Sequence, residues 1–173
     1  MNALAKPVSK LPDVGTTIFT VMSALASEQG ALNLSQGFPD FDGPESLLQA
    51  VNEHMRSGQN QYPPMAGVAA LREAIAEKVL DLYGLACDAD TEITVTAGAT
   101  EALFCAIAAV VHAGDEVIVL DPAYDSYDPV IRLQGAVPVH VSLMAPAYRI
   151  DWDRIEAAIT ANTLSLIHIS EPT

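Results

Sequence analysis

The segment "TAGATE", Thr96 to Glu101, sets Gly-Ala-Thr where a β-branched run gives way to a helical pattern. A helix beginning at about Gly98 leaves backbone N–H groups unpaired in its first turn, with the positive end of the helix dipole behind them. Gly98 lets a ligand approach the backbone closely, and Thr100 adds a hydroxyl donor. That combination suits a phosphate. It also suits a plain turn that needs a glycine, with Thr100 as a helix cap. The segment is neither a Walker loop nor the G-x-G-x-x-G of dinucleotide-binding folds.

A second loop, "DPAYDSYDP" from Asp121 to Pro129, carries Tyr124 and Tyr127 between acidic and proline residues. A tyrosine there could lie flat on a planar ring held by the neighbouring loop, or simply pack. Other constellations are missing. His54, His112, His140 and His168 are scattered without metal-ligand spacing. His140 falls in an apolar strand pattern and reads as structural. No G-x-S-x-G elbow occurs, so a hydrolase triad lacks support. Cys87 and Cys105 lie far from any C-x-x-C spacing and read as free thiols of a reducing cytoplasm.

The elements that must position these loops follow from periodicity. Residues 1–15 read as an extended arm, since Pro7 and Pro12 break helices. A helical pattern follows over Ile18–Ser27, then a Gly-, Pro- and Asp-dense loop from Asn33 to Pro44. Pro44 suits the first turn of a helix whose Leu47, Leu48, Val51 and Met55 share a core-facing side. After the loop Ser57–Gly67, the next helix presents Val68, Leu71, Ile75, Val79 and Leu82 as a second core stripe. Arg72, Glu73, Glu77 and Lys78 lie off it, and Gly84 ends the helix.

From Glu92 the rhythm changes. "EITVT" reads as a strand, followed by the helix bearing Leu103, Ile107 and Val110. Gly114-Asp115 reads as a turn, "EVIVL" as a buried strand, and Val130–Gln134 as a short helix. "AVPVHVSL" gives another strand, and "DWDRIEAAIT" a helix capped by Asp151. Alternating strands and helices predict βαβ units, an α/β fold with a mainly parallel sheet and flanking helices. Such sheets bind ligands at the carboxyl ends of their strands. The loops Ala97–Glu101 and Asp121–Pro129 occupy those positions.

Half of the 173 residues are hydrophobic, enough for a sizeable core. The 22 acidic residues against 8 basic ones give a net charge of −14, which argues against nucleic acid or an anionic membrane as partner. Residues 1–15 hold no apolar stretch fit for a signal peptide, and the longest apolar run, Ala102 to Val111, is too short to cross a bilayer. A cytoplasmic setting is expected.

Four segments in this order, "NLSQGFPDFDGP", "NQYPPMAGVAALREAIA", "TVTAGATEALF" and "GDEVIVLDPAYDSYDP", resemble the class I/II aminotransferases, pyridoxal-phosphate enzymes of fold type I. The nearest subgroup looks like methionine aminotransferase and the kynurenine (glutamine) transaminases. The resemblance runs from about Lys10 to Thr163. It implies that Gly98, Ala99 and Thr100 hold the cofactor phosphate and that Tyr124 stacks on its ring. It further implies that Tyr62 reaches the phosphate of a partner subunit in a homodimer. Gly37 would stand beside the substrate carboxylate, and Phe19 over the substrate side chain. Amino acid and 2-oxo acid substrates follow. Residues 1–43 would be the arm and substrate-side loop, and 44–163 the first part of the cofactor-binding large domain, with its sheet incomplete.

Two features depart from that pattern. Transamination needs a lysine that joins the cofactor covalently and moves the proton at the α-carbon. The three lysines, Lys6, Lys10 and Lys78, do not match the family's, which lies later in the chain. No residue of the chain is therefore assigned a catalytic role. After "AAITANT" the family would continue with an arginine, a buried strand and an Asn-Pro-x-Gly turn. "LSLIHISEPT" stands there instead, and 164–173 is expected to be a frameshifted or artefactual tail. The resemblance leaves a cysteine-conjugate β-lyase and a non-catalytic remnant as alternatives.

Overall fold

The structure, a computed structural model, describes residues 7–37 and 39–168. Along the chain come α1 (Ile18–Glu28), α2 (Glu45–Arg56), α3 (Ala69–Tyr83), α4 (Ala99–Val110), β1 (Glu116–Asp121), α5 (Tyr127–Leu133), β2 (Val137–Ser142), α6 (Trp152–Ala158) and β3 (Thr163–Ile167). They group into two compact units: the described residues up to Ala24 with those from Gly98 onward, and Leu25–Ala97.

The first unit is built on a parallel sheet of order β2-β1-β3. Ile118 of β1 stands opposite Val139 on one side and Leu166 on the other. Central β1 is covered on both faces, which is why "VIVL" is apolar without alternation. On one face Val117 and Val119 pack with Ile107 of α4 and Tyr127, Val130 and Ile131 of α5. On the other, Ile118 and Leu120 pack with Val141 and with Ile155 of α6. Each such fully buried aliphatic side chain contributes about 1.5–3 kcal/mol. Asp151 caps α6 as its type suggests, its carboxylate accepting the Arg154 N–H at 3.2 Å. Thr163–Ile167 joins the sheet edge beside β1, as an alternating apolar run can; residues 169–173 lie outside those described.

α5 begins at Tyr127, three residues before the expected start, so Tyr127 and Asp128 belong to its first turn. A larger correction concerns "EITVT". Residues 93–96 form no regular element and join no ladder among the described residues. β-propensity proposes an extended chain; a strand also needs a neighbour, and here the Val95 N–H is donated to the Ala66 carbonyl at 3.0 Å instead.

That hydrogen bond lies in the second unit, where two further expectations fail. The apolar side of α2 is exposed, with no buried residue among the twelve, and Pro44 is the N-cap rather than a first-turn residue. On α3 the buried residue is Arg72, expected off the core stripe, while Leu71 and Leu82 are exposed. Arg72 is buried because its guanidinium has backbone to bind: Nε donates to the Gly67 carbonyl at 3.3 Å, and Nη1 donates to the Ala89 carbonyl and to Asp90. Gly84 closes α3 in the left-handed conformation, as the sequence predicts.

Candidate functional site

Gly98 is the N-cap of α4, at φ 90° and ψ 170°. That backbone conformation belongs almost entirely to glycine. A Cβ at Gly98 would meet nothing within 4 Å, so the backbone angle, not crowding, calls for glycine. Ala99 and Thr100 are the first two helical residues. Gly98 holds the N-cap position and brings no side chain to it, so Thr100, the second helical residue, is not the N-cap that its type allows. Its hydroxyl lies 3.0 Å from the phenol oxygen of Tyr124.

Tyr124 comes from the loop after β1, at the carboxyl end of the central strand, where open parallel sheets place ligands. It is partly exposed, whereas Tyr127 is 3% exposed and packs edge-on against it, ring centroids 5.8 Å apart and planes at 77°. The Tyr127 hydroxyl donates to the His168 carbonyl at 3.4 Å. Of the two tyrosines, one is therefore the presenting ring and the other its support. The sequence holds no local signal that tells them apart, since burial is decided by what α5 packs against.

Gly98, Ala99, Thr100 and Tyr124 are thus brought together at one end of the first unit. Phe19 lies on α1 in the same unit, about a third exposed. Gly37 and Tyr62 belong to the second unit, Gly37 in the loop between α1 and α2 and Tyr62 99% exposed. Of the lysines, Lys6 lies outside the described residues, Lys10 is in the arm, and Lys78 stands on α3 in a shallow surface groove with Glu77 and Asp81.

Beside the Tyr124 loop stands a polar group that sequence reasoning missed. The side chain of His140 on β2 is 42% exposed and bonds Asp121 and Asp128. Burial alone would lower its pKa, but the two carboxylates together raise it above the usual imidazole value. Only the Asp128–Arg132 pair of this group, four residues apart on α5, is a spacing that the sequence displays. Among the described residues no cluster of His, Cys, Asp and Glu is arranged to hold a metal ion, and no helix is long and apolar enough to cross a membrane.

Comparison with known proteins identifies the family. The family Aminotransferase class I and II matches residues 29–170. The chain is 56% identical over 161 residues to a methionine aminotransferase of Escherichia coli K12, covering 93% of this chain and 42% of that protein. A solved Escherichia coli structure identified with a methionine aminotransferase function superposes with a TM-score of 0.88 at 55% identity, over 94% of this chain and 43% of that one. The N-succinyldiaminopimelate aminotransferase of Mycobacterium tuberculosis superposes with a TM-score of 0.84 at 45% identity, over 93% and 42% respectively. The chain therefore spans less than half the length of these relatives. Its α/β architecture and parallel sheet are those of part of a fold type I aminotransferase, and the chain belongs to the class I and II aminotransferase family.

Proposed function

We propose that the full-length protein transfers an amino group from a methionine-like or aromatic amino acid to a 2-oxo acid using pyridoxal 5′-phosphate. In this chain Gly98, Ala99, Thr100 and Tyr124 would hold that cofactor. The observation that carries the reading is the 3.0 Å approach of the Thr100 hydroxyl to the Tyr124 phenol at the N-terminus of α4. It sets a hydroxyl that could donate to a phosphate beside a ring-sized aromatic face, which supports one small ligand engaging both. The α4 N–H groups and the Thr100 hydroxyl would fix a phosphate dianion, and the Tyr124 face would hold a planar pyridine. When bound, pyridoxal phosphate supplies the electron sink for the substrate's α-carbanion.

The remaining assignments rest on the family. Tyr62 would reach the phosphate of the second subunit in a homodimer, which accords with its exposure in the single chain. Gly37 would lie beside the substrate carboxylate and Phe19 over the substrate side chain. Preference for methionine is supported by the identity to the Escherichia coli enzyme of that name. A cytoplasmic setting accords with the two free cysteines.

The family pattern favours a second statement: the 173-residue chain alone is inactive, because none of Lys6, Lys10 and Lys78 matches the family's cofactor-bound lysine. Equilibrium dialysis with pyridoxine 5′-phosphate, which has ring and phosphate but no aldehyde, tests the binding site. Saturable binding competed by inorganic phosphate is expected, and its absence overturns the assignment. Turnover of methionine with a 2-oxo acid by the purified chain would overturn the inactivity.

A further inference from the structure

Both ring nitrogens of His140 face carboxylates. Nδ1 lies 3.1 Å from each oxygen of Asp121, and Nε2 lies 3.2 Å from Asp128 Oδ1. A neutral imidazole has one N–H, so in that state one nitrogen would turn its lone pair toward a carboxylate. Only the imidazolium, with two N–H groups, donates in both directions. The geometry is therefore that of a protonated histidine.

The two carboxylates have particular positions. Asp121 is the last residue of β1, and Asp128 is in the first turn of α5. Between them runs the loop that carries Tyr124. His140, from the neighbouring strand β2, thus ties the two ends of that loop to each other. The other oxygen of Asp128 accepts from Arg132 Nη1 at 3.2 Å, and Arg132 Nη2 donates to Asp13 of the N-terminal arm at 2.6 Å.

We propose that His140 is a positioning residue for Tyr124, its imidazolium clasping the ends of the tyrosine loop and, through Asp128 and Arg132, joining that loop to the arm. Loss of the ring proton releases one of the two carboxylates and lets the loop ends part. The charged groups facing His140 are Asp121 from β1 and Asp128 from α5, with the Arg132 guanidinium behind Asp128. α6 packs on the opposite face of the sheet, and its Arg154 donates to the Ser142 carbonyl. The raised pKa accords with this arrangement. Each exposed pair alone would be worth little. Their effect here is geometric, because three elements meet on one ring. What the positioned tyrosine serves rests on the cofactor reading above; the clasp itself does not.

Nuclear magnetic resonance titration of the whole 173-residue chain tests it. The His140 ring signal is expected to titrate above the ordinary imidazole midpoint of about 6.5, and the Tyr124 ring signals to shift with the same midpoint. Asp128→Asn should lower the His140 midpoint, and His140→Gln should abolish the pH response of Tyr124. His140→Arg, cationic throughout, should hold the Tyr124 signals at their acid positions and so rescue the clasp. Tyr124 signals that ignore the His140 titration, or a midpoint at or below the ordinary value, overturn the proposal. Dialysis with pyridoxine 5′-phosphate at pH 6 and pH 8 adds a second readout. The wild-type chain should lose several-fold more affinity between them than His140→Arg, whose own loss reports the titration of the ligand phosphate. Equal losses overturn a positioning role toward the ligand. No binding at either pH, with the Tyr124 coupling intact, sinks the cofactor reading and leaves the clasp standing.

Discussion

Gly67 and Val95 meet so closely that no side chain fits between them: a Cβ on Gly67 would stand 2.7 Å from Val95 Cγ2 and 2.8 Å from its Cβ. Gly67 also holds φ at +101°, and the preceding Ala66 carbonyl accepts the Val95 N–H at 3.0 Å. Both residues lie in the second unit, where this contact pins the loop after Tyr62 to the segment around Val95. Gly67→Ala should therefore combine a β-branched clash with backbone strain, and cost about 2–4 kcal/mol. Urea unfolding of the purified chain checks this; a loss below about 0.5 kcal/mol would mean that the contact relaxes freely.

Arg72 also holds this loop, through the Gly67 carbonyl. Arg72→Met keeps much of the buried stem but leaves the Gly67 and Ala89 carbonyls without their donor. The expected cost is about 2–4 kcal/mol. Asp90→Asn removes only the exposed partner and should cost under about 1 kcal/mol. The ranking of the two variants in denaturant unfolding is the check.

At the candidate phosphate site, Thr100→Val removes a hydroxyl and preserves shape. Affinity for pyridoxine 5′-phosphate should fall about five- to tenfold, corresponding to about 1 kcal/mol for one hydrogen bond. Tyr124→Phe keeps the ring face and should fall less than Tyr124→Ala. Gly98→Ala should abolish binding and destabilise the chain by about 1–3 kcal/mol, because alanine does not adopt φ 90°, ψ 170° without strain. Dialysis and unfolding curves on the four variants separate these effects.

Acid sensitivity has a defined local source. The Asp88 carboxylate accepts the Asp90 N–H at 2.7 Å and the Thr91 N–H at 3.3 Å, and the first of these chiefly holds its pKa below the usual 3.8. A depressed carboxyl group stabilises the fold above its unfolded pKa and loses that contribution as pH falls through the folded value. Stability should thus decline below about pH 4. Asp88→Asn should flatten that part of the stability–pH curve measured by thermal melting, and an unchanged slope would assign the decline to other groups. Asp13, lowered chiefly by its hydrogen bond from Arg132, contributes in the same window.

The sequence by itself determined several local elements and the glycine turn at the start of α4. The stop at Gly84, the Asp151 cap, the unbroken apolar run of β1 and the Gly-Ala-Thr junction are written in neighbouring residues, and hydrogen bonding within a few positions suffices to form them. The four motifs in register also sufficed to place the chain in its family.

Tertiary structure decided everything that needs a distant partner. "EITVT" has strand-forming residues but pairs with Ala66 rather than a sheet. Arg72 has the side chain of a surface residue but finds backbone carbonyls on two loops to bury it. Tyr124 and Tyr127 look alike in the sequence, and only the packing of α5 on β1 makes one the support of the other. The clasp at His140 joins positions 121, 128 and 140, with the arm at 13 behind them. No short-range rule brings those charges together, because their proximity exists only once β1, α5 and β2 have packed.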